Sequence, residues 1–159
     1  MTILNIIKFP NEKLSNKADL VKKINKETIN EIKNMVKTLF NHNGLGLAAT
    51  QVDINKQIIV INMSMDKFIP LVIINPVIIN YDNNVISSTE GCLSFPNMFV
   101  KVKRRKSISI KFTDTKEKTQ ILYAEGMLSI CIQHELDHLN GITLYNKMSN
   151  LKKKLLLKK

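Results

Sequence analysis

Cysteine and long apolar runs are both scarce in this chain. The 159 residues include two cysteines, and the apolar runs, such as 71–75, are interrupted by Asn or Pro. None approaches the roughly 20 residues that span a bilayer. The first residues lack a charged start followed by an apolar stretch, so we predict no secretory signal. We therefore expect one soluble domain in a reducing, cytoplasmic compartment, with no membrane contact.

Acidic residues and arginine are also scarce. The formal net charge is +11, which would favour a nucleic-acid partner. Only two of the 24 basic residues are arginine, however, and nucleic-acid recognition favours the arginine fork. We interpret most lysines as a solvated surface. The segment 149–159 is treated separately: it predicts a short basic helix or tail, which is either solvated or contacts ribosomal RNA or anionic lipid.

One histidine motif is the strongest chemical signal in the chain. Gln133-His134-Glu135-Leu136-Asp137-His138 places two histidines four residues apart, so that on a helix both rings point the same way and can bind one metal ion. Residues 139–159 contain no His, Cys, Asp or Glu. The third ligand must therefore come from earlier in the chain.

Four upstream residues are candidates for this third ligand: Cys131, His42, Glu90 and Cys92. Cys131 would lie roughly 10 Å along the helix axis from His138, so we interpret it as a packing residue. His42 ends the first predicted helix, where a dipole partner is the more common role. Cys92 follows Gly91 in a plausible ligand hairpin and is preferred. A Cys and two His leave one position of a tetrahedral ion open, as catalytic sites do.

Periodicity places these residues in an α+β domain. We predict an extended or looped arm over 1–20 with a turn at 9–11, a helix over 26–40 capped by Asn25, and a second helix from near Glu125 to 139. Strands are predicted over 57–63, 71–80, 85–89 and 100–113, with a turn at 82–84. This order indicates antiparallel or mixed β-sheets wrapped around a central metal-binding helix. Residues 1–148 form one catalytic domain in this interpretation, followed by the tail.

Three segments together resemble one family, the peptide deformylases. They are Gly44–Gln51, Glu90–Ser94 and Gln133–His138, in the same order along the chain. The resemblance implies hydrolytic removal of the N-formyl group from the initiator methionine of nascent polypeptides, with formate released. It also implies one divalent metal ion, with Fe(II) favoured and zinc, nickel or cobalt as alternatives, and N-formylmethionyl peptides as partners of a monomeric enzyme.

One residue role follows from position in the sequence, and the others follow from the resemblance to the family. Glu135 follows His134 directly, so its carboxylate is the natural general base and then the acid for the leaving amine. By resemblance, the Gln51 amide and the Leu93 backbone N–H stabilise the oxyanion, and the substrate backbone pairs as an added strand. The residues that the resemblance assigns to substrate binding are Leu45, Gly46, Gly91, Phe95, Met127, Ile130 and Cys131.

Some alternatives stay open at this point. Arg104 either forms an ion pair with Glu90 or contacts the substrate. Residues 97–99 depart from the family pattern, which leaves the rim of the peptide channel undefined. An endopeptidase is the second enzyme hypothesis, although Leu144 stands where the long metzincin signature needs its last His. A non-catalytic, ribosome-binding protein is the third.

Overall fold

Two separate antiparallel sheets and a helix between them dominate the computed structural model, which describes residues 1–158. The larger sheet has the strand order β1-β2-β3-β6-β7, and the smaller is a β4-β5 hairpin. The strand bounds are β1 Gly46–Ala48, β2 Ile58–Asn62, β3 Pro70–Tyr81, β4 Val85–Cys92, β5 Phe95–Arg105, β6 Ser107–Thr113 and β7 Thr119–Glu125. The helices are α1 Lys26–Asn41, α2 Met127–Leu139, α3 Leu144–Lys147 and α4 Asn150–Leu157.

The first helix confirms its sequence prediction. The Asn25 side chain accepts a hydrogen bond from the Thr28 backbone N–H, as an N-cap residue does. The buried face of α1 carries Ile32, Met35 and Leu39, which pack against β1 and β2. Strands β2 and β3 and the turn at 82–84 are also where the sequence predicts them.

The prediction of a single strand over 100–113 is wrong. The chain turns at Lys106, so that β5 pairs with β4 in the hairpin while β6 pairs with β3 and β7 in the large sheet. Strands β1 and β7 are absent from the predictions. Because β7 occupies 119–125, α2 begins at Met127, after Gly126 with φ +63°, two residues from the predicted start near Glu125.

Helix α2 lies between the two sheets. Ile132 and Leu139 are buried against the isoleucine-rich face of the large sheet. His134, Glu135 and His138 are buried as well, and His134 and His138 contact the hairpin on the other side. An apolar side and a polar side on one buried helix explain its position at the centre, and the α+β prediction is confirmed.

The N-terminal arm ties the site-bearing segments together. The Ile7 N–H donates to the Gln51 carbonyl at 2.7 Å, and the Phe9 N–H donates to the Ser94 carbonyl at 2.9 Å. A short 3₁₀ turn, Glu12–Ser15, follows the predicted turn at 9–11. The arm therefore has no regular strand and contains one 3₁₀ turn, in agreement with the prediction of an extended or looped segment, and its backbone is part of the packed domain.

The last helix, α4, corresponds to the predicted basic segment, whose final residue, Lys159, lies outside the described residues. The Ser149 side chain caps it by accepting from the Lys152 N–H. Among residues 1–158, no helix combines the length and apolar character that a membrane crossing requires.

Candidate metal centre and active site

Three side chains converge where α2 meets the β4-β5 hairpin. One donor atom from each of Cys92, His134 and His138 lies within 4.8 Å of the other two. Cys92 Sγ is 3.3 Å from His138 Nε2, and the two imidazole centroids are 5.0 Å apart. A thiolate and two neutral imidazoles are the donors that zinc and other divalent transition metals accept. The donor set fits a metal ion with three protein ligands.

Glu90 orients one of these ligands. Its carboxylate Oε1 is 2.9 Å from His134 Nδ1, so Nδ1–H donates to it and Nε2 is left to face the donor group. Burial alone would raise the pKa of Glu90, but hydrogen bonds from Arg104 and His134 outweigh burial and lower the pKa to about 2. Glu90 therefore remains ionised and acts as the partner of His134, and it lies outside the group of three donors.

Arg104 links the hairpin to α2. The guanidinium donates to both Glu90 oxygens, at 2.9 and 2.8 Å, and to Asp137 Oδ2 at 2.6 Å. Only 5% of its surface is exposed. Of the two alternatives for Arg104, the structure shows the ion pair with Glu90. Arg104 does not line the cavity, so a contact with the substrate is not supported. Asp137, inside the histidine motif, was not predicted as its second partner, although its position beside the motif's ligands was a usable signal.

The charges around the donors favour a positive ion. Burial alone would lower the pKa of His134, but hydrogen bonds with Cys92 and Glu90 raise that pKa to about 10. Burial lowers the pKa of His138 well below its usual value, and the charge on His134 adds to this effect. The groups that favour a positive charge at this position, Cys92, Glu90 and Glu135, favour a metal cation in the same way as they favour a proton on His134. The electrostatics of the site therefore fit a cation.

Glu135 is a buried carboxyl group without a complete set of partners. Burial raises the pKa of Glu135 to about 7. Its Oε2 atom has no hydrogen-bond partner among the described residues. The side chain lines the cavity next to His134, as a group that exchanges a proton with a bound molecule near neutral pH must do.

Gln51 also lies at the centre. Its Oε1 accepts from the Ala48 N–H at 2.9 Å, which turns its amide nitrogen toward Ser94 Oγ at 3.0 Å and Cys92 Sγ at 3.4 Å. Leu93 occupies the turn between β4 and β5 and lines the cavity. Ser94 was missed by sequence reasoning, although it stands in the same motif as Cys92.

A cavity of about 1110 Å³ opens beside the donors. Its wall includes every residue for which sequence reasoning predicted substrate contact, namely Leu45, Gly46, Gly91, Phe95, Met127, Ile130 and Cys131. Burial raises the pKa of the Cys131 thiol, and the negative charges of Glu135 and Glu90 add to this shift. Cys131 is therefore a neutral wall residue. The N-terminal residues Ile3, Leu4 and Ile6, which were not predicted, also line the cavity.

His42 is not among the donors. It is the C-cap residue of α1, and its Nδ1 is 2.8 Å from the Thr38 carbonyl, which is a local helix-end contact. The three donors, the buried carboxyl group and the adjacent cavity, all on an α+β scaffold, define the class of this protein: a metal-dependent hydrolase with a histidine-motif helix.

Comparisons with known proteins specify the family. A family model described as polypeptide deformylase matches residues 3–154. The peptide deformylase of Pseudoalteromonas translucida is 41% identical over 159 residues, covering 100% of this chain and 95% of the relative. That of Wigglesworthia glossinidia brevipalpis is 42% identical over 152 residues, covering 96% and 99%. A solved structure of the Ehrlichia chaffeensis enzyme in complex with actinonin has a TM-score of 0.94 at 32% identity, covering 99% and 95%.

The chain belongs to the polypeptide deformylase family. It is a metal-dependent enzyme that removes the N-formyl group from nascent polypeptides, and the comparisons support this activity rather than the endopeptidase alternative. The deformylases that it resembles are of the bacterial type.

Proposed function

We propose that Cys92, His134 and His138 hold one ferrous ion, and that Glu135 moves the protons of the deformylation reaction. The observation that carries this assignment is the convergence of the three donor atoms within 4.8 Å, beside a buried carboxyl group that lines the cavity. When bound, the ion supplies Lewis-acid chemistry: it makes water a better nucleophile and polarises the formyl oxygen.

Glu135 serves as general base and then as general acid. With a pKa raised to about 7 by burial, it can accept a proton from the attacking water and return that proton to the leaving amine. The proposed proton acceptor is Oε2 of Glu135, because this atom has no hydrogen-bond partner among residues 1–158 and the other carboxylate oxygen, Oε1, lies close to Gly46. The carbon–nitrogen bond then breaks, and formate and a free methionine amine are released.

Gln51 and Leu93 stabilise the oxyanion that develops on the formyl group. The contact between Gln51 Oε1 and the Ala48 N–H fixes the amide, so the NH₂ group is already directed at the site. Fixed donors of this kind are typically worth on the order of a hundredfold or more in rate. Ser94 holds the same NH₂ group in place at 3.0 Å.

The peptide binds as an added strand between β1 and β4. Leu45, Gly46 and Gly91 line the same cavity, and in this proposal the methionine side chain enters its apolar part. Ile130 and Cys131 from α2 supply one wall of that pocket, and Phe95 and Met127 complete it.

The test uses Glu135→Ala on formyl-Met-Ala-Ser. We expect turnover to fall to background while bound metal, measured by elemental analysis, stays at one ion per chain. Glu27→Ala, on an exposed glutamate in the first turn of α1, is the control and should keep full activity. Mass spectrometry should show loss of the formyl group without cleavage between residues. Full deformylase activity in Glu135→Ala would refute the assigned mechanism.

The choice of ferrous iron is tested separately. Protein isolated under anaerobic conditions should contain iron, and its formate release should decay in air as the metal or the Cys92 sulfur is oxidised. A zinc-loaded sample should survive the same exposure. Equal stability of the two samples in air would contradict iron as the working metal.

The proposed setting is a cytoplasmic monomer that contacts the ribosome through α4. Its exposed lysines give the helix a positive surface that can neutralise RNA phosphates. Replacing the exposed Lys154 and Lys158 by Gln should weaken co-sedimentation with ribosomes, whereas the same changes at the exposed Lys22 and Lys23 should not. Sedimentation equilibrium should give a mass of 18.2 kDa, and cell fractionation should recover the enzyme with cytoplasmic proteins.

A further inference from the structure

The N-terminal arm contacts the two segments that carry the proposed oxyanion donors. Gln51 belongs to a 3₁₀ turn that directly follows β1, and Leu93 stands in the turn between β4 and β5. The Ile7 N–H donates to the Gln51 carbonyl, and the Phe9 N–H donates to the Ser94 carbonyl in the second segment. In extended backbone, N–H groups two residues apart point the same way. One short stretch of the arm therefore spans both segments and sets the distance between them.

The Phe9 side chain adds to the hold on the hairpin turn. Its ring is stacked between the rings of Phe95 and Tyr145, at centroid distances of 4.9 and 5.0 Å. Phe95 is 1% exposed and pairs with Cys92 across the turn between β4 and β5. Stacked aromatic pairs stabilise a contact beyond the area that they bury. The backbone and the ring of one residue therefore hold this turn.

Ser94 extends the constraint to the second oxyanion donor. Its Oγ accepts a hydrogen bond from the Gln51 amide at 3.0 Å, while Gln51 Oε1 accepts from the Ala48 N–H. Both Ser94 and Gln51 are buried. A displacement of Ser94 would move the Gln51 amide as well as the Leu93 N–H in the same turn. Oxyanion donors are effective only when they are fixed where the charge develops.

The start of the arm is anchored on α1. The Thr2 N–H donates to Asn34 Oδ1 and the Leu4 N–H donates to Thr38 Oγ1, both at 2.8 Å. The Thr38 hydroxyl is itself fixed, because it donates to the Asn34 carbonyl at 2.7 Å. Hydrogen bonds thus hold the arm on the helix side as well as on the side of the oxyanion donors. The arm is a fixed support for the two turns.

We propose that Phe9 is a positioning residue for the oxyanion donors, and that Tyr145 acts through it. Neither residue is among the described residues that line the cavity, so the effect does not depend on contact with the peptide. The arm keeps Gln51 and Leu93 at the separation at which both donate to one oxygen of the tetrahedral intermediate. This inference rests on the proposed function, which assigns the oxyanion to these two donors.

The first experiment measures kcat and KM of Phe9→Leu on formyl-Met-Ala-Ser. We expect kcat to fall about tenfold, less than the roughly hundredfold cost of a 1 Å displacement, with KM within about twofold of the parent. Metal content and calorimetric binding of the product Met-Ala-Ser should not change, because the product carries no oxyanion.

The matched control is Phe68→Leu. It breaks a second aromatic pair, Phe40 with Phe68 at 5.1 Å, and both residues lie outside the described cavity lining. We expect this variant to keep the parent kcat even where its Tm falls. Parent-like kcat in Phe9→Leu, or an equal loss of kcat in Phe68→Leu, would overturn the proposal.

Tyr145 gives a second test that leaves Phe9 in place. Tyr145→Leu removes one stacking partner of the Phe9 ring and should lower kcat about threefold, the size expected for one aromatic pair. Tyr145→Phe keeps the ring and should have the parent kcat. An equal loss in the two variants would show that stacking on Phe9 is not the cause, and the role of Tyr145 would be overturned.

The last experiment tests the link between Phe9 and the donors. Gln51→Ala should lower kcat on the order of a hundredfold. The double variant Phe9→Leu/Gln51→Ala should lie closer to that loss than to the roughly thousandfold product of two independent effects. The full product would overturn the positioning role. Parent-like kcat in Gln51→Ala would refute the oxyanion assignment, whereas parent-like kcat in Phe9→Leu alone would refute only the positioning role.

Discussion

Gly46 shows how closely the Glu135 carboxylate is packed. A Cβ at this position would lie 2.7 Å from Glu135 Oε1 and 3.0 Å from Cys131 Sγ. Gly46→Ala must therefore displace the Glu135 carboxylate, and displacements near 1 Å cost roughly a hundredfold in rate. We expect kcat for formyl-Met-Ala-Ser to fall by that order with metal content unchanged. Parent-like kcat would mean that the Glu135 position is not critical.

Glu135 should also lower the stability of the metal-free protein. Its pKa is 4.5 in the unfolded chain and about 7 in the folded protein, because burial disfavours the charge. The ionised Glu135 therefore lowers the free energy of unfolding. This effect is absent below pH 4.5 and complete above pH 7, where it is on the order of 3 kcal/mol at most. Glu135→Gln should therefore raise the urea midpoint at pH 8 and leave it nearly unchanged at pH 4.5. An equal rise in the urea midpoint at pH 8 and at pH 4.5 would contradict the raised pKa of Glu135.

Single residues differ in how far the sequence could identify them. Cys92, His134 and His138 could be predicted because metal donors are few in this chain and the motif leaves the third position to be filled from upstream. The partnership of Glu90 with both His134 and Arg104 depends on contacts between segments 14 and 44 residues apart. The Arg104–Glu90 ion pair was one of two alternatives that the sequence left open. Ser94 and Asp137 stand in recognised motifs, but a motif does not show which side chains its residues contact, and for that reason their roles were missed.

At the scale of elements, the hairpin and α2 are joined through one buried guanidinium. Arg104→Met would leave Glu90 buried without its main partner, which typically costs 3–5 kcal/mol. We expect a lower urea midpoint and weaker metal binding, since Glu90, the partner of His134, is no longer held by Arg104. Arg105→Met is the matched control, because Arg105 is only half-buried and lies over the Tyr81 ring at 4.3 Å. Equal losses in the two variants would show that the buried network is unimportant.

The elements themselves were predictable in proportion to their length and periodicity. Helix α1 has a cap residue and an apolar stripe, so its start was exact. The run at 100–113 was read as one strand because Val, Ile and Phe continue through it, and only pairing with different partners separates β5 from β6. Strand β1 has three residues, too few for a periodic signal, and β7 is exposed at the sheet edge.

At the scale of the whole molecule, the metal ion would connect the hairpin to the central helix. A ligand that binds only the folded state at a thousand times its Kd adds about 4 kcal/mol of stability. For a chain of this length, that corresponds to a rise of roughly 8–16 °C in Tm. Calorimetry with and without Zn²⁺ should show this rise in the parent and in Cys131→Ser, but not in Cys92→Ala. A full rise in Cys92→Ala would remove Cys92 from the ligand set.

The N-terminal arm gives the site an unusual dependence on the order of synthesis. Residues 7 and 9 are synthesised early, yet their hydrogen-bond acceptors belong to residues 51 and 94, and the last of the three proposed metal donors is residue 138. A translation product that is interrupted before this histidine lacks a complete donor set. Each new copy of the enzyme therefore lacks the proposed donor set during nearly all of its own growth.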